Sequence, residues 1–377
     1  MANNFELIHS DSKTKARTAK LTTSHGVINT PCFMPVGTQA TVKTLSPNEL
    51  EEIGIEIVLC NTYHLHLRPG IDIIKENGGL HKFMGWNHPI LTDSGGYQVF
   101  SLAKLMKVKK EGVHFQSHID GSKRFLSPED AVKLQLGFRS DIIMPLDECV
   151  HYPVARERAR DAMETTLDWA ERSKKEFSIA TENRAPRTEH LLFGIVQGAT
   201  YNDLRKECAE RLIDIGFDGY AAGGVSVGEP EELLDETASY SAGLLPTDKP
   251  RYLMGVGGPF NILNAVEAGF DMFDCVVPTR NGRNGQAFTW AGKLNVSNAA
   301  FAHDLSPVEK GCGCYACRNF SRSYIRHLFN TDEILGLRLV SLHNLYFYAS
   351  FMREIREAIS EGRFVEFKED FKRRHIK

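Results

Sequence analysis

Short apolar runs recur along the chain, and each ends in a glycine or polar residue before a helical segment. The clearest are "EIVLCNTYH" (56–64), "PILTDSGG" (89–96), "DIIMPLDE" (141–148), "LLFGIVQG" (191–198), "YAAGGVSVG" (220–228), "RYLMGVGG" (251–258) and "MFDCVVPT" (272–279). Uninterrupted apolar runs of this length are typical of strands buried on both faces of a parallel sheet. The pattern predicts an α/β fold in which buried strands alternate with helices.

Two helix starts share one signature. Ser46-Pro47-Asn48-Glu49 and Ser127-Pro128-Glu129-Asp130 each combine an N-cap serine, a proline in the first turn and an acid that can close a capping box. A further helical pattern, "NDLRKECAERLIDIG", stops at Gly216. Seven or eight strands interleaved with such helices predict a (β/α)8 barrel, with a doubly wound open sheet as the alternative.

In a barrel, the residues that end the strands meet at one mouth, where active sites lie. Any one of these residues could be a helix cap or turn residue, but together they predict a site. An ionised carboxylate among the apolar neighbours of Asp274 is costly unless it is hydrogen-bonded or functional. The residues that end or follow the apolar runs are Asp93, Asp147, Gln197, Gly224 and Asp274.

Asp147 and Glu148 are adjacent, so an extended backbone would point them to opposite faces. We expect Asp147 to face the mouth and Glu148 to enter a helix or an ion pair. Several carboxylates at one mouth suit work on a glycosidic bond, where one attacks the anomeric carbon and another protonates the leaving group. Arg280 and Arg283 follow in a stretch without acidic residues, 275–302, which predicts a loop that contacts phosphate or RNA.

Composition sets looser limits. The 377 residues carry a formal net charge of −3, so any nucleic-acid footprint must be local. The start of the chain has no apolar signal region, and no apolar run approaches the roughly 20 residues that span a bilayer. Five scattered cysteines indicate a reducing compartment. We therefore expect a cytoplasmic protein without a membrane partner.

The stretch "GCGCYAC" (311–317) places Cys312, Cys314 and Cys317 in one tight turn. Three thiolates with this spacing suit a tetrahedral zinc ion, with a fourth ligand from elsewhere in the chain. His327 and His343 both lie in predicted helices downstream, and the spacing does not choose between them. A site with four protein ligands is closed and therefore structural.

A competing interpretation concerns "YHLHLRPG", in which His64 and His66 follow a predicted strand. Such a pair can bind a catalytic metal in barrel hydrolases, but a metal site needs further ligands. None of the other strand ends offers a histidine. A metal-dependent barrel hydrolase thus remains an alternative, as does a non-catalytic RNA-binding subunit built on the cysteine turn.

Taken together, these motifs resemble those of the tRNA-guanine transglycosylases (queuine tRNA-ribosyltransferases), and of the bacterial type in particular. The similarity extends over the whole chain and indicates one domain, 1–377, with a zinc-binding subdomain at about 300–350. The matching stretches are "INTPCFMPVGTQATVKTLSP", "NTYHLHLRPG", "LTDSGGYQVFSL", "PLDEC", "GIVQGA", "GGVSVGE", "YLMGVGGP", "FDCVVPTRNGRNGQAFT", "CGCYACRNFSRSYIRHL" and "LHNLYFY".

The resemblance implies an irregular (β/α)8 TIM barrel with a zinc-binding insertion near the C-terminus. It implies an enzyme that exchanges guanine at the anticodon wobble position (34) of tRNAs with GUN anticodons. The incoming base in bacteria is 7-aminomethyl-7-deazaguanine (preQ1), a precursor of queuosine. The family also suggests a homodimer that meets the anticodon loop of tRNA, without the extra C-terminal RNA-binding domain of archaeal relatives.

Residue roles carry over by motif. Asp274 would be the nucleophile and Asp93 the general acid/base. Arg280 and Arg283 would meet the anticodon. The base edge would be read by Asp147, Gln197 and the backbone of Gly224 and Val225, and the base would lie between Tyr97 and Met254. The zinc ligands would be Cys312, Cys314, Cys317 and His343.

Two further residues bear on the incoming base. Cys149 and Val227 match the bacterial pattern, where the animal enzyme that takes queuine differs. Val225 and Ser226 depart from it, because leucine and alanine are expected there. Val225 would contribute mainly its main chain, so the departure leaves base recognition intact.

Overall fold

The computed structural model describes residues 4–102, 106–182 and 190–375. Its strands are β1 (Phe5–Ser10), β2 (Arg17–Thr23), β3 (Gly26–Thr30), β4 (Cys32–Pro35), β5 (Val58–Cys60), β6 (Ile90–Thr92), β7 (Met106–Lys109), β8 (Gly112–Gln116), β9 (Lys123–Leu126), β10 (Ile142–Ile143), β11 (Leu191–Val196), β12 (Gly219–Ala222), β13 (Arg251–Leu253), β14 (Met272–Cys275), β15 (Gln286–Thr289) and β16 (Gly292–Asn295).

The helices of the described ranges lie between these strands and after the last of them. They are α1 (Pro47–Glu52), α2 (Thr62–Leu67), α3 (Ile71–Glu76), α4 (Leu80–Met84), α5 (Gly96–Leu102), α6 (Pro128–Phe138), α7 (Arg156–Thr181), α8 (Asn202–Ile215), α9 (Glu231–Leu244), α10 (Pro259–Ala268), α11 (Val277–Arg283), α12 (Tyr315–Asn319), α13 (Arg322–Asn330), α14 (Ile334–Ser360) and α15 (Phe364–His375), with a short 3-10 turn at Ala299–Phe301.

Eight parallel strands form the barrel, and they neighbour one another in chain order: β4, β5, β6 and β10 to β14. The first and last of them pair directly, with Asp274 opposite Met34. On the other side of β4, Val36 bridges Leu59, and the Gly37 N–H donates to the Leu59 carbonyl at 2.6 Å. The ring is therefore closed. The predicted α/β barrel is confirmed, and the doubly wound alternative is wrong.

Local signals in the sequence hold in the structure. Both capping boxes form; Ser46 Oγ accepts from the Glu49 N–H, and the Glu49 carboxylate accepts from the Ser46 N–H. Helix α8 ends at Gly216. Each of the seven predicted apolar runs contains a barrel strand. The eighth strand, β4, was not predicted, because its four residues include Pro35 and follow Pro31, and prolines argue against a central strand.

Additional elements cover the two ends of the barrel. The antiparallel sheet β1–β3 leads directly into β4 and so lies at the N-terminal end. A second antiparallel sheet, β7–β9, is inserted between β6 and α6 on the side of the mouth. After β14 come α11, the hairpin β15–β16 and the cysteine segment. The long helix α14 then packs against α11, β15 and β4, in the position of the eighth barrel helix.

Across the described ranges, no helix combines the length and the apolar character that crossing a bilayer requires.

A buried carboxylate ties the N-terminal end of the barrel together. Asp141, just before β10, accepts from the Ile90 N–H at 2.9 Å and from the Ser24 hydroxyl at 3.1 Å. The ring nitrogens of His25 and His81 lie 2.7 and 3.1 Å from its two oxygens. Burial alone would raise the pKa of Asp141, but the hydrogen bonds from both histidines hold it well below its usual range.

This group could be mistaken for a metal site, because its three ligand atoms lie within 4.8 Å of one another. The two imidazole rings are stacked, however, with centroids 3.5 Å apart and planes inclined by 14°. A metal ion binds an imidazole in the plane of its ring, and no single ion can lie in two nearly parallel planes. The group is therefore a hydrogen-bond cluster that joins the β2–β3 turn, α4, β6 and the segment before β10.

We expect Asp141→Asn to lower the free energy of unfolding by about 3 kcal/mol, because removing one partner of a buried charged network leaves the other groups uncompensated. Urea denaturation at pH 7 measures the change. The control is Asp214→Asn on the exposed face of α8, which should stay within about 0.5 kcal/mol of the wild type. Equal stabilities for the two variants would contradict the role of Asp141.

Candidate active site

The mouth of the barrel collects the polar residues that end the strands. Asp93 directly follows β6, Asp147 lies beyond β10, and Gln197 follows β11. Gly224 lies beyond β12, and Asp274 is within β14. The carboxyl ends of parallel strands share one end of a closed barrel, so these side chains converge although up to 181 residues separate them.

Asp93 is almost entirely buried, and both of its carboxylate oxygens are held. The Asn61 side-chain amide donates to one oxygen at 2.5 Å. The Thr62 and Gly95 N–H groups donate to the other at 2.9 and 3.2 Å. Burial raises the pKa of Asp93 to about 6, and repulsion from Asp274 adds to the rise, whereas these hydrogen bonds oppose it. The residue can therefore hold and release a proton near neutral pH.

Asp274 is held differently. The Tyr252 hydroxyl donates to its Oδ1 at 2.5 Å, and the Gly255 N–H donates to the same oxygen at 2.7 Å. Among the described residues, none donates to Oδ2. Burial raises the pKa of Asp274, and it raises that of Tyr252 far more, so the phenol remains a donor. One carboxylate oxygen is thus fixed while the other remains available at the mouth.

Asp147 and Gln197 form a buried polar pair beside these carboxylates. The Gln197 amide nitrogen donates to one oxygen of Asp147 at 2.8 Å, and the Ser94 hydroxyl lies 3.3 Å from the other. Burial raises the pKa of Asp147 to about 6. As expected from the strand phase, Glu148 points elsewhere and pairs with Arg158 on α7.

The backbone of Gly224 lies directly against Gln197 of this pair. Its φ of 62° lies in the left-handed region, and a Cβ atom there would meet Gln197 Oε1 at 2.3 Å. That oxygen is buried and has no hydrogen-bond donor among the described residues. A glycine is therefore required for the backbone to approach Gln197 so closely, and the residue that follows it, Val225, is buried.

A buried arginine supports this loop, and the sequence pattern did not reveal it. Arg205 on α8 donates to the carbonyls of Ala199, Gly223 and Gly224 at 2.6, 3.0 and 3.2 Å. Burial lowers the pKa of its guanidinium to about 10. An arginine in an amphipathic helix normally faces water, so the pattern of α8 does not predict that Arg205 is buried. The only signal in the sequence was the adjacent pair Gly223 and Gly224, whose carbonyls accept from Arg205.

Three more site residues were missed: Asn61, Tyr252 and Gly255. Asn61 ends its apolar run in the same way as Asp93 ends the next, and that likeness was an available signal. Tyr252 lies within a buried strand, where its sequence neighbours suggest only packing. The hydroxyl contact with Asp274 depends on a pairing between distant strands, so local sequence could not indicate it.

Tyr97 and Met254 lie at the rim of the mouth. Tyr97 is on α5 with 47% of its surface exposed, and Met254 directly follows β13, partly buried. Burial raises the pKa of the Tyr97 hydroxyl, Cys149 adds to the rise, and the charge of Arg280 opposes it. The two side chains thus belong to elements that border the pocket.

Arg280 and Arg283 were expected in a loop, and this expectation was wrong. Both lie on α11, which begins with Pro278 in its first turn and a favourable φ for helix. Arg280 is exposed, whereas Arg283 is partly buried, and its pKa is lowered by burial and by the charge of Arg280. The pair is three residues apart on the helix, and so shares one face.

One histidine, His343, lies close to the three sulfurs of the cysteine turn. His343 Nδ1 lies 3.7, 3.6 and 3.4 Å from the sulfurs of Cys312, Cys314 and Cys317. A tetrahedral zinc ion needs a separation of about 3.6 Å between sulfur and nitrogen ligands. His343 Nε2 is 2.8 Å from the Phe288 carbonyl, a contact that leaves Nδ1 for a metal. These four residues can bind one metal ion, and His327 lies outside the group.

The next residue along α14 links this cluster to α11. The Asn344 side-chain amide donates to the carbonyls of Pro278 and Gln286, both at 2.9 Å, and its oxygen accepts from the Phe288 N–H. One turn further on, the Tyr348 hydroxyl donates to the Gly257 carbonyl at 2.5 Å. Helix α14 therefore fixes the positions of three features relative to one another: the histidine of the metal site, helix α11 with its two arginines (the arginine helix), and a loop of the mouth.

His64 and His66 do not form a metal site with other described residues. Neither belongs to a group of three potential ligands. They lie on α2, and two residues that are two apart on a helix point to nearly opposite sides. Burial lowers the pKa of His64 to about 4. The structure therefore gives the metal-dependent hydrolase no support.

A closed α/β barrel with three carboxylates grouped at the ends of its strands has the architecture of a barrel enzyme, in which the active site lies at this mouth. Residues 11–377 match the model of the queuine tRNA-ribosyltransferase family. The chain belongs to this family, as its motifs had predicted.

Curated proteins named queuine tRNA-ribosyltransferase are similar to this chain over nearly their whole length. The queuine tRNA-ribosyltransferase of Caldanaerobacter subterraneus subsp. tengcongensis is 55% identical over 371 residues, which cover 98% of this chain and 97% of that relative. Those of Pelotomaculum thermopropionicum and Halothermothrix orenii are 53% and 52% identical, and each comparison covers 100% of this chain and 99% of the relative. The similarity is thus not confined to one motif.

Removal of the histidine ligand tests the metal site. We expect His343→Ala to lose most of the bound metal and to lower the melting temperature, because the ligands of a structural metal contribute directly to folding. His327→Ala, the matched control, should retain the ion. Metal content per chain, measured by atomic emission, distinguishes them. A full equivalent of metal in His343→Ala would refute the assignment.

The raised pKa of Asp93 predicts a pH-dependent change in stability. The Asp93 carboxyl has a pKa of about 6 in the folded state and about 4 in the unfolded state, so the folded state holds its proton more tightly. This contribution to the stability of the folded state is lost as the pH rises from about 4 through 6. Asp93→Asn lacks this titration. Its stability relative to the wild type should therefore rise by about 2 kcal/mol between pH 4 and 7.5. Asp214→Asn should show no such trend in urea denaturation, and a flat difference for Asp93→Asn would contradict the shift.

Proposed function

We propose that this chain exchanges guanine at the anticodon wobble position of tRNAs with GUN anticodons for preQ1, a step of queuosine biosynthesis. Family membership supports the reaction class. The observation that carries the proposal is the difference in hydrogen bonding between two carboxylates. Asp274 accepts on one oxygen and keeps the other available, whereas Asp93 accepts on both oxygens and has a pKa of about 6. Double displacement at an anomeric carbon requires these two roles.

In the first displacement, Oδ2 of Asp274 attacks the ribose anomeric carbon. The new ester bond forms as the bond to guanine breaks, and the departing base takes a proton from Asp93. In the second, the incoming base returns its proton to Asp93 and displaces Asp274, so the configuration is retained. The donors Tyr252 and Gly255 orient the nucleophile through Oδ1. One glycosidic bond replaces another, and no cofactor is needed.

Asp147 and Gln197 recognise the base in this proposal. The carboxylate of Asp147 accepts from the ring and exocyclic N–H groups of guanine, which adenine does not present in the same positions. A buried acceptor left unpaired penalises the wrong base strongly. The backbone of Gly224 and Val225 completes the edge, which the close approach of Gly224 to Gln197 supports.

Tyr97 and Met254 bracket the ring of the base in the same proposal, one from α5 and one from the end of β13. Their positions at the rim support this arrangement. Cys149 and Val227 match the bacterial pattern and favour preQ1 over queuine. Arg280 and Arg283 on α11 contact the anticodon loop through its phosphates, for which arginine is well suited.

We further propose that the metal is one structural Zn2+ per chain, held by Cys312, Cys314, Cys317 and His343 in a zinc-binding subdomain of about 300–350. Three thiolates and an imidazole are a preferred donor set for zinc. The ion takes no part in the reaction. The single domain would span 1–377 and work in the cytoplasm, where cysteines stay reduced.

A homodimer belongs to the same proposal. Several exposed apolar side chains lie in the segment that flanks the cysteine turn in sequence, where Tyr315, Tyr324 and Ile334 are 50%, 39% and 74% exposed. A second copy could cover them, and apolar surface of this kind often marks an interface. The zinc ion would then brace the edge of the barrel that faces the partner subunit.

Base exchange into a defined anticodon stem-loop tests the function directly. Labelled guanine should enter the RNA, unlabelled preQ1 should compete strongly, queuine weakly, and adenine not at all. No incorporation of guanine would refute the proposed reaction. Competition by adenine equal to that by guanine would refute the role of Asp147 alone.

The nucleophile has its own test. We expect the wild type to form a denaturation-resistant complex with RNA, and Asp274→Asn to form none while still binding tRNA, because an amide oxygen is a poor nucleophile. A denaturing gel detects the complex, and Asp214→Asn is the matched control that should retain it. A stable band with Asp274→Asn would overturn the assignment.

A further inference from the structure

The sheet β7–β9 is a basic region in a chain of negative net charge. Residues 106–126 contain five Lys and Arg residues and two acids, whereas the whole chain has a formal charge of −3. The sheet is inserted directly after α5, which follows Asp93, and before α6. The sheet therefore lies at the mouth. Its position, after β6, is three strands around the barrel from β14, the strand that leads into α11.

The register of the sheet separates two faces. Lys107 pairs with His114, and His114 pairs with Phe125, so these three side chains form one row on one face. Lys109 and Lys123 lie two residues along their strands and so share that face. All five are exposed, and no acidic residue of the three strands lies beside them. Among the described residues, none of the three lysines forms an ion pair.

The opposite face packs on the segment that carries the base-reading carboxylate. Met106, Val108 and Val113 border a narrow cavity of about 20 Å³ together with Leu146 and Asp147. One layer of sheet therefore separates the outer face from the segment that carries Asp147.

The same sheet is firmly anchored to α7. The Trp169 indole N–H and the Arg172 guanidinium donate to the Lys110 carbonyl at 3.0 and 2.7 Å. At the other end of the sheet, the Tyr63 hydroxyl lies 2.8 Å from the His118 ring nitrogen. The outer face is therefore presented on a fixed support rather than on a loose loop.

We propose that the outer face of β7–β9 is a second RNA-binding surface, an inference that rests on the proposed function. Lys107, Lys109 and Lys123 contact backbone phosphates, and Phe125 offers its ring to an unpaired base. Its ring is 40% exposed beside the imidazole of His114, with centroids 4.6 Å apart. Lysines around an exposed aromatic ring are the usual means of binding single-stranded RNA. The RNA is thereby held from two sides of the mouth.

Protection of sheet edges explains part of this pattern but not all of it. Lysines on edge strands such as β7 and β9 discourage pairing with other chains. That purpose accounts for the lysines but needs no exposed aromatic ring. The combination of unpaired lysines, an absence of acids on the strands' outer face and an exposed phenylalanine favours a polyanion with bases.

The test is the salt dependence of tRNA binding by the whole protein. Each phosphate contact contributes about 0.7 to 0.9 to the slope of log K against log salt. The triple variant Lys107→Gln, Lys109→Gln, Lys123→Gln should therefore reduce the slope by about 2. Phe125→Ala should weaken binding about tenfold and leave the slope unchanged, because stacking releases no counterions.

Matched variants serve as controls. Lys20→Gln, Lys75→Gln, Lys82→Gln removes the same charge from exposed lysines of β2, α3 and α4, and should leave the slope unchanged. Arg280→Ala, Arg283→Ala should reduce it. Melting temperature and metal content confirm that each variant is folded.

The outcomes separate the two proposals. A wild type that exchanges guanine, together with an unchanged slope in the Lys107, Lys109 and Lys123 variant, would overturn this inference alone. An equal loss in the control triple would overturn it as well, because the effect would then be one of net charge. A wild type that exchanges no guanine would refute the proposed function instead.

Discussion

The parallel pairing of β14 with β4 is the constraint on which the molecule depends. It joins residues near positions 34 and 274 and closes the sheet, so that every strand delivers its carboxyl end to the same opening. An open sheet would spread Asp93, Asp147 and Asp274 along an edge. Closure also surrounds them with apolar strands and excludes water, and that exclusion raises the pKa values of all three carboxyls.

Desolvation alone does not distinguish the three acids; their hydrogen-bond donors do. Asp93 receives donors on both oxygens and Asp147 receives an amide and a hydroxyl, whereas Asp274 receives two donors on one oxygen. These different surroundings are what the proposed mechanism uses, with Asp93 as the proton carrier, Asp147 as the base-reading group and Asp274 as the nucleophile. Arg205 contributes from behind by fixing the backbone against which the base would lie.

Features set by nearby residues could be predicted from the sequence. The apolar runs, the two capping boxes, the stop at Gly216 and the turn of three cysteines each depend on a few consecutive side chains. Strand β4 and the sheets β1–β3 and β7–β9 depend on pairing between segments, and proline or weak alternation concealed them. The contact of Tyr252 with Asp274, the burial of Arg205 and the helical form of α11 are likewise properties of the assembled barrel. The choice of His343 over His327 needed either the family resemblance or the folded structure.

Helix α14 carries His343, Asn344 and Tyr348 within two turns, and these side chains serve the metal cluster, the arginine helix and a loop of the mouth. Because the three side chains share one helix, a change that shifts or tilts α14 disturbs all three contacts together. The outer face of β7–β9 is different, because among the described residues its three lysines form no ion pair and Phe125 makes its ring contact with His114 in the same sheet. With the proposed second RNA-binding surface, a change of RNA partner can therefore be accommodated in the inserted sheet, whereas a shift of the long helix carries a structural cost.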